Sequence, residues 1–533
     1  MHLFASLFCL LSLSTSASAQ QSPPPRAART QPQHPGDYSQ EPFLIERYYT
    51  TARYENDGTG ERDLAVRIRV QTEVGVERLG QLAFGYSSEN EQLEVHFVRV
   101  QRADGAMVSA GSDAIKEVTT LVARNAPAYA DYKEKQITVP LLHPGDTLEY
   151  EIATRMVTPF APGQFWFQQN FLDAAIVLDE QLELNVPLDR KITLKSPAHS
   201  YGTELDDAKR RTIYRWRHAN LTVTPHDDPA SQKSPHAARP PDVQLTTFAS
   251  WQDVARWYAG FGKGRANLTP EIRAKSAELI DGRASKLDKI EALYGYVATN
   301  IDYVNASSGL FRYQPHSAAE VFSDRYGDSR DKATLLAAML EAAGIQANTV
   351  LAPTSRQLDA SIPSPSQFDH VITAVPDGDG LIWMDATADV APFRLLASGL
   401  RGKSALLVPP NGEGRIVETP ADPPFLSIQR VKIEGLVSSL GKLTARIHYS
   451  LRGDTELVLR LAFRRTPRTQ WMELGQTILT LDGIHGEVTS VQPSDPFDTH
   501  GPFEIDMEFT QSNFLDWSSK KARVAVPLAR MGL

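Results

Sequence analysis

Residues 333–343 are apolar almost all round a helix, interrupted only by Thr334 and Glu341. They are headed by Asp328-Ser329-Arg330-Asp331-Lys332, which carries most of the charge of this stretch. A helix that is apolar on every side must be submerged in the middle of a domain, so the chain has to supply packing layers around it. Asp328 or Ser329 fits the N-cap and Gly344 fits C′. The charge distribution predicts that the first turn emerges from the core while the rest stays inside. Its free N–H groups and the positive end of its dipole would favour an anion beside residue 329, and a thiolate there would have a depressed pKa.

The flanking sequence predicts an α+β multidomain chain. Residues 42–221 alternate in the β manner, with Val66, Ile68 and Val70 on one face and a turn at Pro144-Gly145-Asp146. Many short alternating strands with turn punctuation predict an N-terminal antiparallel β-sandwich. Residues 222–246 read as a proline-rich linker holding Pro225, Pro229, Pro235, Pro240 and Pro241. A central α+β core is expected over 247–405. Ser250 caps a helix carrying Trp251, Val254 and Trp257, which read as core residues, and Leu287, Ile290, Leu293, Tyr294 and Val297 follow helical spacing. Strands return at 347–352, 368–375 and 381–385, with a hairpin turn at Gly378-Asp379-Gly380. Helices first and strands after argue for segregation rather than βαβ alternation. Residues 420–533 read as a mainly β domain with one helix from Thr455 into the 470s.

The ends and the composition restrict function. Residues 1–19 have no Lys, Arg, Asp or Glu, an apolar run over 3–13 and Ala17-Ser18-Ala19 as a cleavage site. They read as a secretory signal peptide, too short in its apolar run to span a bilayer, and predict a periplasmic or secreted protein. A Pro/Gln/Arg-rich leader over 20–41 is expected to be disordered. The single cysteine, Cys9, falls in the signal, so the mature chain would have no disulfide, thiolate metal site or thiol nucleophile. Lys+Arg total 55 and Asp+Glu 64, a net charge of −9 with the signs interspersed, which gives no basic stripe for nucleic acid. No later stretch is long and apolar enough for a transmembrane segment. No HExxH, paired CxxC or EF-hand loop occurs, and His226-Asp227-Asp228 lies in the linker, so neither metal nor cofactor is expected.

Three separated pieces carry a family resemblance: Tyr313-Gln314-Pro315-His316 leading into Arg325–Lys332, then Phe368-Asp369-His370-Val371, then Trp383-Met384-Asp385-Ala386-Thr387. In order and spacing they resemble the transglutaminase-like superfamily, whose core is papain-like, over roughly residues 245–400. The upstream β region resembles the β-rich domain of unknown function that precedes such cores in bacterial proteins. The resemblance implies a triad of helix-start cysteine, strand histidine and next-strand aspartate, which falls on Ser329, His370 and Asp385. Gln314 and Tyr326 are the oxyanion candidates by nearness in sequence, and His316 reads as structural.

Serine at 329 departs from the family pattern. A serine hydroxyl cannot rest as an anion and needs His370 as a neutral base during attack. Two readings follow. One is a non-catalytic module that binds an extracytoplasmic peptide, protein or envelope component, with Ser329 capping its helix. The other is a Ser329-His370-Asp385 amide hydrolase or acyl transferase.

Overall fold

The computed structural model describes residues 38–222, 239–306 and 313–515. The expected signal peptide, residues 20–37 of the leader and residues 223–238 of the linker, His226 among them, lie outside the described residues. In the N-terminal region, alternation puts Val66, Ile68 and Val70 on the buried face of strand Gly60–Val70. That strand belongs to an eight-stranded sheet. A three-stranded sheet (Gln81–Ser87, Tyr132–Thr138, Ile115–Thr119) packs Leu82, Phe84 and Ile137 against Ile68, Val100 and Tyr150 of the large sheet. The result is the expected layered arrangement with one departure. Strand Phe43–Tyr54 pairs in parallel with Val177–Pro187, placing Thr50 opposite Leu182. Parallel neighbours need a long crossover, and most of the region lies between these two strands.

The end of the expected linker is part of the fold. Val243–Thr246 is a completely buried strand between Trp166–Gln169 and Thr193–Lys195. Pro240 and Pro241 mark only its approach, because proline cannot donate to a ladder while the residues after it can.

Helices Trp251–Gly262, Pro270–Ile280, Lys286–Asn300, Ala318–Asp324 and Ser329–Ala342 precede an antiparallel five-stranded sheet. Its order is Gly380–Met384, His370–Asp377, Asn348–Ala352, Ser404–Val408, Arg415–Glu418, so it runs past the expected limit at 405. The helix Ser329–Ala342 is the central one. Leu335, Leu336 and Met339 are wholly buried, in one cluster with Ile290, Leu293 and Val297 of a neighbouring helix and Val375, Ile382 and Met384 of the sheet. Gly344 ends it at φ 70°, where glycine avoids the penalty of a Cβ. The predicted hairpin turn closes with Asp377 paired to Gly380.

The C-terminal region is a four-stranded antiparallel sheet (Ile428–Val437, Leu443–Arg452, Phe503–Gln511, Glu487–Pro493 in spatial order) carrying two helices. The single helix expected from Thr455 is split into Asp454–Arg465 and Trp471–Leu481. Pro467 forces Thr466 into an extended conformation, ψ 125°, and ends the first of them. Among the described residues no helix is long and apolar enough to cross a membrane.

Candidate functional site

The site forms where the central helix meets the first two strands of the sheet that follows it in the chain. Asp328 is the N-cap, its carboxylate accepting from the N–H groups of Arg330 (2.8 Å) and Asp331 (3.1 Å). Asp331 returns a bond to the Asp328 N–H at 3.3 Å, completing a reciprocal capping box. Ser329 is therefore the first helical residue and not the cap expected of it in a non-catalytic module. Gly327 is needed here by space: a Cβ would stand 2.6 Å from that of Asp331. Gly327→Ala is expected to displace Asp331 and to cost about 1–3 kcal/mol by overpacking, read as a lowered denaturation midpoint.

His370 opens its strand opposite Ala352, and the Asp369 carboxylate beside it accepts from the N–H (2.7 Å) and hydroxyl (2.8 Å) of Thr354. Asp385 follows the strand Gly380–Met384. Its Oδ1 accepts from the N–H (3.0 Å) and hydroxyl (2.8 Å) of Thr387, which aims Oδ2 at His370 Nε2, 3.1 Å away. The Ser329 hydroxyl accepts from the Val371 N–H at 3.3 Å. The three residues on which the family resemblance places a triad thus lie together. Among the described residues, however, no hydrogen bond joins Ser329 to His370.

Burial works against the His370 imidazolium, but the Asp385 carboxylate outweighs it, so the histidine pKa lies above its ordinary value. Burial likewise opposes ionisation of Asp385, and His370 together with the Thr387 donors holds its pKa below the carboxylate norm. A raised histidine pKa favours pairing with a thiolate, whereas a base that must take a serine proton has to be neutral when it acts.

The first turn of the helix does not emerge from the core. Ser329, Arg330, Asp331 and Lys332 are 6, 8, 1 and 0 % exposed. A segment of the N-terminal domain covers it: the Tyr129 hydroxyl donates to Asp331 and accepts from the Asp328 N–H (2.7 Å). Arg330 pairs with Asp328 and donates to the Ala306 carbonyl at 2.6 Å. Burial, only partly opposed by Arg330, raises the Asp328 pKa to about 6. Lys332 stands one helical turn from Ser329, the spacing of a Ser–Lys dyad. Its ammonium instead donates to the carbonyls of Ala298 (3.2 Å) and Ile301 (2.5 Å), closing the end of helix Lys286–Asn300. Burial lowers its pKa to about 8.

The two oxyanion candidates fare differently. The Tyr326 hydroxyl is taken by the Ala128 N–H (3.3 Å), so it is turned to the N-terminal domain. Gln314 is half-buried, and its side chain makes no hydrogen bond to Ser329 or His370. His316 is structural, as read: its Nδ1 lies 2.9 Å from Asp331 Oδ2 and its Nε2 3.2 Å from the Ala128 carbonyl. Sequence reasoning missed Tyr303, which is 42 % exposed. Desolvation of its hydroxyl and the carboxylates of Asp385, Asp328 and Asp369 raise its pKa. Only its place three residues past the end of helix Lys286–Asn300 hinted at it. Among the described residues no group of three His, Cys, Asp or Glu side chains is placed to hold a metal ion.

The profile of the transglutaminase-like superfamily matches residues 273–388, a span that contains Ser329, His370 and Asp385. The chain carries a transglutaminase-like domain. Ahead of it, residues 56–224 match the domain of unknown function DUF3857, which covers most of the N-terminal sandwich. The crystal structure of a presumed protease from Parabacteroides distasonis is similar in fold across nearly the whole chain. The TM-score is 0.61 at 13 % identity, covering 88 % of this chain and 93 % of that one. A presumed cysteine protease from Cytophaga hutchinsonii aligns over 70 % of this chain and 88 % of its own, at 10 % identity and a TM-score of 0.21. Among curated proteins none matches.

Proposed function

We propose that this is an exported, non-catalytic transglutaminase-like protein that binds a peptide, protein or envelope component outside the cytoplasm. The observation that carries the reading is the state of residue 329. Its hydroxyl accepts from the Val371 backbone N–H and has no hydrogen bond to His370, whose imidazole is held toward its protonated form by Asp385. The family resemblance puts a cysteine at this position. With serine, the same electrostatics that would support a thiolate work against general-base catalysis. Export rests on the signal-like residues 1–19, and periplasmic release or secretion would follow from their removal.

One observation favours a second reading, an amide hydrolase or acyl transferase using Ser329, His370 and Asp385. The His370–Asp385 hydrogen bond stands at 3.1 Å, so two of the three parts of a serine triad are in register. Fluorophosphonate labelling followed by intact mass separates the two. The binding reading expects no adduct on the wild-type protein. An adduct that disappears in Ser329→Ala would replace it with the hydrolase reading.

A further inference from the structure

Two contacts reach from the N-terminal domain to opposite ends of the stretch Tyr313–His316, just upstream of the central helix. At one end the Tyr313 ring packs edge-on to Phe160 (5.4 Å) and Trp166 (5.7 Å). At the other, His316 Nε2 donates to the Ala128 carbonyl at 3.2 Å, and its ring meets Tyr129 edge-on at 5.0 Å. Gln314 lies between these anchors. The helix start is gripped by the same segment. Tyr129 sits in the helical turn Pro127–Tyr129, 2 % exposed, with its hydroxyl bridging Asp331 and the Asp328 N–H. Asp331 in turn accepts from the N–H (2.7 Å) and Nδ1 (2.9 Å) of His316. The side chain of Tyr129 therefore closes a network that joins the N-terminal domain, the stretch holding Gln314, and the first turn that presents residue 329.

We infer that Tyr129, supplied by the DUF3857 region, is a positioning residue of the site at residue 329, setting the hydrogen-bonded first turn of its helix. The inference rests on the reading that residue 329 faces the ligand, and it assigns the N-terminal domain a part in building that site. A phenol that donates to Asp331 while accepting from the cap N–H holds the carboxylate and the cap in fixed register. Removing it leaves Asp331 with one donor fewer, so more of its negative charge bears on position 329. A thiolate there would be less favoured.

The test uses the full chain with Ser329→Cys, and compares it with the same chain carrying Tyr129→Phe as well. Iodoacetamide alkylation of the residue-329 peptide is followed by mass against pH, which resolves it from Cys9. Amide hydrogen exchange at Asp328 is measured in parallel. With Tyr129→Phe the alkylation midpoint is expected to move to higher pH and exchange at Asp328 to speed up about tenfold, the loss of roughly one hydrogen bond. Amides of the large N-terminal sheet should not change. His316→Gln, which removes the partner on the far side of Asp331, should move the midpoint in the same direction and serves if Tyr129→Phe fails to fold. An unchanged midpoint and unchanged exchange in the folded variants would overturn the inference. Neither readout involves a ligand or turnover, so failure of the binding reading leaves this result interpretable.

Discussion

Ser329→Cys is expected to give a thiol that is largely ionised near neutral pH, with an alkylation midpoint below ~7.5 against about 8.5 for an ordinary cysteine. Position 329 is the first residue of a long helix, where the dipole favours an anion. The Val371 N–H already points at the side-chain atom of residue 329, 3.3 Å from the serine oxygen. His370 adds a further contribution, because Asp385 raises the imidazole pKa above the usual histidine value. The sign of the pH dependence follows. The raised His370 pKa makes the stabilisation from its pairing fully present below the ordinary histidine value, and it fades as pH climbs through the raised one. At the acid end the contribution disappears as pH drops through the depressed pKa of Asp385. The thiolate should therefore lose its cationic neighbour on the alkaline side. A midpoint at the ordinary cysteine value would mean that the site does not polarise residue 329, and would remove the electrostatic basis for treating it as a degenerate thiol site.

Asp331→Ala should destabilise the protein by about 3–5 kcal/mol, because it strips the partner from buried polar groups instead of replacing them. The carboxylate is 1 % exposed and accepts from the Tyr129 hydroxyl, both His316 donors and the Asp328 N–H. Denaturant titration of the full chain reads the effect. Asp331→Asn retains an acceptor and should lose distinctly less, whereas equal losses would show that charge and not hydrogen bonding dominates. His316 has a raised pKa: burial opposes its charge, but Asp331 outweighs that. Asp331 has a lowered pKa: burial opposes ionisation, and His316 and Tyr129 overcome it. The wild-type advantage over Asp331→Ala should hold between these two limits. It should shrink as pH falls through the depressed Asp331 value and again as it rises through the raised His316 value. A difference that does not vary with pH would place the cost in packing alone.

The placement of Ser329, His370 and Asp385 on their elements was legible because its cues are local. Apolar run, charged cap and strand spacing each occupy a few residues, and Ser329, His370 and Asp385 fall at a helix start, a strand start and a strand end. The burial of the first turn was not legible. Its cover comes from Tyr129, 202 residues away from Asp331 in the chain, and no periodicity around Arg330 records such a contact. A cluster of charges reads as a solvated surface when its counter-charges and phenol come from elsewhere. The same holds for Val243–Thr246, whose four residues are too few to show a period beside a proline-rich approach. The parallel pairing of Phe43–Tyr54 with Val177–Pro187 was hidden because alternation fixes which face is buried, not the direction of the neighbour.

The buried strand Val243–Thr246 has a consequence for how the molecule melts. It belongs to a sheet with Trp166–Gln169 and Thr193–Lys195, yet its Thr246 hydroxyl donates to the Pro363 carbonyl in the following domain at 2.9 Å. Lys195 of the same sheet pairs with Asp359 there. Severing the chain at residue 247 would separate a ladder from the loop it supports, the loop that leads to His370. Heat should therefore take the sandwich and the transglutaminase-like core through one cooperative transition, with neither half persisting as a folded remnant.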